Sequence, residues 1–150
     1  MANRLGTGPA SRRYIHGVGP RLALSRARRI FRLLAPWNLR AAAWALVALR
    51  RTGRDLAAHG LHGASVAPPP RLPASARAGV IAVVRRRPST CLERALVLQR
   101  WETEHGAGGD VIIGVRGPGD GFRAHAWLET MPDGPPGTFE EILRLPAPTH

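Results

Sequence analysis

The chain of 150 residues contains a single cysteine, Cys91, at a position that suits a thiol nucleophile. Thr90 and Glu93 form a T-x-x-E capping box, which predicts that a helix begins directly after Thr90. Cys91 is then the first residue of this helix, where unpaired N–H groups and the positive end of the helix dipole favour a thiolate and can bind an oxyanion. A small apolar packing residue is the alternative role for a free cysteine. The capping box and a downstream histidine favour the nucleophile.

The candidate base is His125, which follows Cys91 by 34 residues. Apolar and polar residues alternate cleanly over Phe122–Thr130, which predicts a β-strand with His125 and Trp127 on the same face. A thiol nucleophile needs a base from a different element, and a strand that lies against the N-terminus of the helix provides one. Position alone is equally consistent with an exposed strand histidine that has no catalytic role.

The elements around these two residues are predicted from periodicity, caps and turns. A helix is expected over Ser89–His105 and a buried strand over Asp110–Arg116, ahead of the strand that holds His125. Thr138 and Glu141 form a second T-x-x-E pattern, which predicts a short terminal helix. Helices followed by at least two antiparallel strands define an α+β fold.

The first part of the chain is predicted to be helical. An irregular arm, Met1–Pro20, precedes it, and a proline-rich extended linker, Ser65–Ala74, interrupts it. Pro36 is expected to end or kink the first helix. The predicted helices span Arg21–Leu34, Leu39–His59 and Ser75–Arg87. We therefore divide one compact domain into a basic helical region with its linker, residues 1–74, and a catalytic region, residues 75–150.

The net charge of +12 is unevenly distributed, because residues 1–90 hold 17 arginines and one acid, Asp55, whereas residues 91–150 hold five arginines and nine acids. A solvated arginine-rich surface explains this half, and a module that binds nucleic acid or a membrane surface is the competing function. The arginines are not interleaved with stacking aromatic residues and no helix-turn-helix spacing is present, so a nucleic-acid partner is not expected. Weak membrane association of residues 21–59 stays open.

Composition also excludes several classes of protein. One cysteine rules out a disulfide framework and a zinc site of several thiolates, and no histidine has a metal-ligand spacing with Cys91. No metal or organic cofactor is therefore expected. The longest apolar run, Ala41–Leu49, has nine residues, whereas a membrane span needs roughly 20. Met1–Pro20 lacks the apolar core of a signal peptide, so we expect a cytoplasmic protein.

Three blocks of sequence resemble a known family in order and spacing. They are Cys91–Gln99 (CLERALVLQ), Val111–Arg116 (VIIGVR) and Phe122–Glu129 (FRAHAWLE). Together they resemble the transglutaminase-like leader peptidases of lasso-peptide biosynthesis, in the stand-alone form whose leader-binding domain is a separate protein. The resemblance covers Pro88–Glu129 closely and the arginine-rich helices only in style. It implies a transglutaminase/papain-like core, with Cys91 on the capped helix and His125 on a small antiparallel sheet.

The resemblance also implies an activity and partners. The protein would be a cysteine peptidase that removes the leader from a ribosomally made precursor, with Cys91 attacking the scissile carbonyl and His125 acting as base and then as acid. Its partners would be the leader region of the precursor, a separate leader-binding protein, and an ATP-using lasso cyclase similar to asparagine synthetase. Another acyl transferase of this fold, such as a transglutaminase or an arylamine acyltransferase, is the alternative, although no amine-acceptor site is recognisable.

The sequence departs from the family at the third catalytic position, where the family has an Asp shortly after the His. Asp133 is favoured because it has that residue type, and Glu141 is the alternative. Glu140 and Glu141 are also explained as first-turn acids of the predicted terminal helix. Glu129 lies four residues from His125 on one strand, about 13 Å away, which is too far for direct contact. A backbone carbonyl in this role, or no third member, also stays open.

The second oxyanion donor is equally open. The backbone N–H of Cys91 is the natural first donor, but no Gln precedes it as in papain-like enzymes. Gln99 lies two turns further along the same helix, and its position there predicts a surface residue.

Overall fold

The computed structural model describes residues 35–117, 121–131 and 139–149, and every structural statement below refers to them. Within these ranges the chain forms three α-helices and a three-stranded sheet. The helices are α1 (Pro36–His59), α2 (Arg77–Arg86) and α3 (Cys91–Glu104). The strands are β1 (Val111–Arg116), β2 (Arg123–Leu128) and β3 (Glu140–Leu145). Short 3₁₀ turns at Leu61–Gly63 and Ala74–Ala76 lie at the two ends of the linker between α1 and α2.

The helix predicted from about Leu39 begins earlier, at Pro36. Proline is favourable at the first helical position, because its fixed φ matches the helix and its missing N–H would have no intrahelical partner there. Pro36 is the first residue of α1, and the helix that it was expected to end or kink lies outside the described residues. The arm Met1–Pro20 and the predicted helix Arg21–Leu34 lie outside the described residues.

The short terminal helix predicted from Thr138 and Glu141 is wrong, since Glu140–Leu145 form strand β3. β3 is antiparallel to β1, with Leu145 opposite Val111. This pairing gives hydrogen-bond partners to the N–H and C=O groups on the second edge of β1, which would otherwise be unpaired. The local capping pattern cannot register that requirement, so the tertiary contact decides the conformation.

Two apolar clusters form the core, one on each side of α3. The helical cluster contains Ala41, Ala45, Ala48, Leu49, Ala76, Val80, Val84, Val97 and Trp101. The sheet cluster contains Ala95, Val111, Ala126 and Leu128. Leu98 of α3 packs against both clusters. α3 is therefore held from two sides, and its position depends on the packing of both.

The crossing of α1 and α2 is close because the residues at the contact are small. A Cβ atom on Gly79 would lie 2.1 Å from the backbone oxygen of Asn38. The N–H of Gly79 donates to Oδ1 of Asn38 at 3.3 Å. Ala76, the N-cap of α2, provides no side-chain cap, so Asn38 supplies an acceptor to the first turn of this helix.

The strands are ordered β2-β1-β3, and both pairs are antiparallel. His125 lies opposite Gly114, and Ala126 lies opposite Ile113. Residues directly opposite each other share a face, and successive residues of a strand alternate between faces. Because Ala126 and Leu128 belong to the cluster that includes Ala95 of α3, His125 and Gly114 lie on the other face, called the outer face below.

We expect Gly79→Ala to lower the free energy of unfolding by about 1–3 kcal/mol, because the added methyl meets backbone rather than a flexible side chain. Urea denaturation measures the change. Gly53→Ala in α1 is the matched control, since its nearest contact is the carboxylate end of Glu93 at 3.3 Å. The control is expected to keep or slightly raise stability through helix propensity. Equal stability of Gly79→Ala and the wild type would contradict the close-crossing argument.

Candidate functional site

Cys91 is the first residue of α3, and the predicted capping box is confirmed. Oγ1 of Thr90 accepts a hydrogen bond from the N–H of Glu93 at 3.2 Å, and the N–H of Thr90 donates to Oε2 of Glu93 at 3.3 Å. Arg94 N–H donates to the Thr90 carbonyl at 3.2 Å. Within the described residues, the N–H groups of Cys91 and Leu92 are therefore the ones at this helix end that remain available for an oxyanion.

Arg94 of α3 binds the backbone just before the helix, and α1 leaves space beside it. The Arg94 guanidinium donates through Nε to the Thr90 carbonyl at 3.2 Å and through Nη2 to the Ser89 carbonyl at 2.9 Å. On the other side, Gly53 of α1 leaves room for the Glu93 carboxylate, which a Cβ atom would approach to 3.3 Å. Arg94 thus fixes the two residues that precede Cys91.

The half-buried Cys91 thiol lies in a cleft of about 300 Å³ between α2, α3 and β2. Cys91 also packs against the sheet cluster. The cleft is lined by Ile81, Val84, Arg85, Cys91, Arg94, Ala95, Leu98, His125, Ala126, Trp127, Leu128 and Met131. The strand that carries His125 therefore borders the thiol's cleft.

The ring of His125 takes part in an aromatic cluster. Its centroid lies 6.0 Å from the Trp127 ring, at an interplanar angle of 18°, and 5.3 Å from the Phe139 ring. The described residues contain no hydrogen bond between His125 and Cys91. The structure thus brings both residues to one cleft but places the His125 ring against aromatic neighbours rather than on the thiol.

Gly114 makes room for this cluster, and sequence reasoning did not single it out. A Cβ atom there would lie 2.8 Å from Cη2 of Trp127, 2.9 Å from the Glu140 carbonyl oxygen and 3.0 Å from Cβ of Phe139. A glycine inside a strand is a general sign of close approach by another group. That signal was present in the block VIIGVR. The register of β1 and β2 then places Gly114 opposite His125.

The candidates for the third catalytic residue do not contact His125 in the described part of the chain. Asp133, the favoured one, lies outside the described residues. Glu141 lies in β3, and its carboxylate accepts from Nε and Nη2 of Arg144 at 3.0 and 3.1 Å. Glu140 was expected in a terminal helix, but it is an exposed residue of β3. Glu129 accepts from Nη1 of Arg144 at 2.7 Å.

Arg144 holds the carboxylates at this end of the sheet. Besides Glu141 and Glu129, its Nη1 lies 3.4 Å from Oδ2 of Asp110. The hydrogen bonds to Glu141 and Glu129 raise the pKa of Arg144 above its ordinary value. The guanidinium therefore stays charged and joins β3 to the residues that precede β1 and follow β2. Glu141 has a clear structural partner, and the described residues assign no orienting acid to His125.

Gln99 was predicted at the surface, and this prediction is wrong. Its side chain is buried, and Nε2 donates to the carbonyl oxygens of Gly109 and Leu145, each at 3.1 Å. The amide thus ties α3 to the segment before β1 and to the end of β3. Helical periodicity cannot reveal this role, because both acceptors come from segments that are distant in sequence and meet only in the fold.

The described ranges contain neither a metal site nor a membrane span. They contain no group of three or more His, Cys, Asp or Glu side chains that could hold a metal ion. No helix within these ranges combines the length and apolarity needed to cross a bilayer.

A thiol at the N-terminus of a capped helix, packed against a small antiparallel sheet, defines a class of cysteine-dependent enzymes. In a comparison with protein-family models, the Transglutaminase-like superfamily matches residues 22–141. The chain belongs to this superfamily, whose members are typically cysteine-dependent enzymes. Comparisons with curated proteins and with solved structures find no match. The transglutaminase-like part of the resemblance is therefore confirmed.

We expect Thr90→Ala to lower stability by about 1 kcal/mol, because the Glu93 N–H loses its acceptor. The first turn of α3 then frays, and Cys91 reacts more slowly with iodoacetamide. Thr90→Ser keeps an acceptor oxygen and is expected to retain the wild-type rate. Mass spectrometry reports the alkylation directly, since the chain has one cysteine. A Thr90→Ala protein that is destabilised but reacts at the wild-type rate would show that the helix cap does not control the reactivity of the Cys91 thiol.

Proposed function

We propose that this protein is a cysteine peptidase that removes the leader peptide from a lasso-peptide precursor. The observation that carries the proposal is the position of Cys91, at the start of a capped helix and in a cleft bordered by the His125 strand. Membership in the Transglutaminase-like superfamily supports cysteine chemistry. The resemblance of the three blocks supports the finer assignment to leader removal.

In the first step, Sγ of Cys91 attacks the scissile carbonyl carbon. A C–S bond forms, and the carbonyl oxygen takes the negative charge. The N–H groups of Cys91 and Leu92 point out of the helix end, where the dipole also favours an anion. His125 receives the thiol proton. The oxyanion then re-forms the carbonyl, the C–N bond breaks, and His125 gives the proton to the leaving amine.

The proton transfer requires a ring nitrogen of His125 within about 3 Å of Sγ. In the structure the ring lies on the outer face against Trp127 and Phe139. The proposed step therefore requires the His125 side chain to move around β2, an edge strand of the sheet, to the side of α3 when substrate occupies the cleft. Catalytic hydrogen bonds are often long in a ligand-free enzyme and form only in the substrate complex.

The second step resolves the acyl-enzyme. The amine has left with one fragment of the precursor, and the other fragment is bound to Cys91 as a thioester. Water attacks the thioester carbonyl while His125 accepts its proton, the C–S bond breaks, and the proton returns to the thiolate. The products are two peptides and the free enzyme, without any other reactant.

The proposal includes partners for the peptidase. A separate leader-binding protein would present the precursor, and an ATP-using cyclase similar to asparagine synthetase would close the ring after leader removal. The described part of the chain is small, and its cleft has few features that could recognise a leader. This supports a separate protein that presents the precursor to the cleft.

We expect the wild type, incubated with a precursor encoded nearby and with the leader-binding protein, to release the leader. Cys91→Ala and Cys91→Ser are expected to release none, because neither side chain supplies a thiolate. His125→Ala is expected to slow release by about 10²–10⁴-fold, the range of general acid–base catalysis. His62→Ala, a change at an exposed histidine outside the cleft, is the matched control and is expected to leave the rate unchanged. Mass spectrometry of the precursor measures the rate of leader release by the wild type and the four variants.

The same assay separates the remaining alternatives. Equal release by Cys91→Ala would rule out the thiol mechanism. Release that yields an amide when a primary amine is added, instead of the carboxylic acid, would show an acyl transferase. Asp133→Asn and Glu141→Gln then test the third position: loss of rate in one of them alone identifies the orienting residue.

A further inference from the structure

Four arginines lie where α2 ends and α3 begins, and two of them border the cleft. Arg85 and Arg86 are the last residues of α2, Arg87 is its C-cap, and Arg94 lies in the first turn of α3. Arg85 and Arg94 line the cleft together with Cys91. The side chains of Arg85, Arg86 and Arg87 are exposed.

These charges have no carboxylate partner within the described residues. The ion pairs found there involve Arg77, Arg100 and Arg144. Arg94 instead donates to two backbone carbonyls. The helix dipole explains cations at the end of α2 but not Arg94, which lies near the positive end of α3, where a cation is unfavourable.

We infer that the cleft accepts an extended peptide segment in which an acidic residue lies next to an apolar one. This inference rests on the proposed function and names the class of its substrate. The acidic side chain would lie over the end of α2, within reach of Arg85 and Arg86. Arginine matches a carboxylate with two parallel N–H donors, and opposite charge also speeds encounter.

The residues beside the arginines favour a peptide over nucleic acid or lipid. Ile81, Val84 and Leu98 line the cleft near them. Aliphatic walls suit an apolar side chain of a peptide, whereas single-stranded nucleic acid is bound mainly by stacking on aromatic residues. The aromatic residues that border this cleft, His125 and Trp127, already stack on each other. A cleft of about 300 Å³ next to a half-buried thiol also fits a single side chain better than a lipid surface.

Protection of Cys91 from alkylation tests the inference without requiring cleavage. The probes are an end-blocked peptide of alternating Leu and Glu and the same peptide with Gln in place of Glu. The single cysteine makes iodoacetamide labelling a direct report of cleft occupancy. The Glu peptide is expected to protect at about fivefold lower concentration than the Gln peptide, the upper range for exposed ion pairs.

Charge reversal provides the matched comparison. The double variant Arg85→Glu, Arg86→Glu is expected to lose the preference for the Glu peptide and to gain one for a peptide of alternating Leu and Lys. Arg71→Glu is the control, because this exposed arginine lies beside Glu104 and His105, at the other end of α3. It is expected to keep the wild-type preference.

Three results would overturn the inference. The first is equal protection of Cys91 by the Glu and Gln peptides. The second is a loss of preference in Arg71→Glu as large as that in the double variant. The third is protection by poly(U) RNA or by phosphatidylserine vesicles that depends on Arg85 and Arg86 and is stronger than protection by the Glu peptide. Failure of the proposed function is measured separately by precursor cleavage. A protein that shows Glu-peptide protection but cleaves no precursor would keep the acidic-peptide cleft and lose the peptidase assignment.

Discussion

The placement of α3 between two apolar clusters is the constraint on which the site depends. Val97 and Trp101 pack toward the helices, and Ala95 packs toward the sheet. Trp101 is fully buried and lies 5.7 Å, between ring centroids, from Trp44 of α1. Because Cys91 is the first residue of this helix, any shift of α3 against either cluster moves the thiol relative to β2 and the cleft. The packing that stabilises the fold therefore also sets the position of the Cys91 thiol.

Polar contacts hold the position of α3 that apolar packing alone would leave adjustable. Gln99 binds carbonyl oxygens from before β1 and from the end of β3. Glu102, also buried, pairs with Arg77 of α2. Buried polar groups are costly unless they are satisfied, so each of these contacts favours one register of the helix over its alternatives. The sheet and α2 are thereby tied to the same helix that carries the thiol.

The cleft combines the N-terminus of α3, which favours an anion, with positively charged arginines at its border. The free N–H groups of Cys91 and Leu92 and the arginines around them act on the same small volume, where the thiolate, the oxyanion and the acidic peptide would each carry negative charge. β2 forms another border of the cleft, and on the outer face of the sheet the rings of His125, Trp127 and Phe139 form an aromatic cluster for which Gly114 leaves room.

Local sequence patterns were sufficient to predict the helix that begins at Cys91 and the alternation of side chains between the two faces of β2. A capping box and a period of two are set by residues near each other in the chain, so sequence alone predicted Thr90, Cys91 and the two faces around His125. Strand β3, the buried Gln99 and the partner of Glu141 needed the tertiary structure. The first two depend on hydrogen bonds between distant segments: β3 with β1, and Gln99 with Gly109 and Leu145. Glu141 is three residues from Arg144, but that guanidinium is itself held by Asp110 and Glu129, which are distant in sequence. Such contacts carry no periodic signal, because only the folded chain brings their partners together.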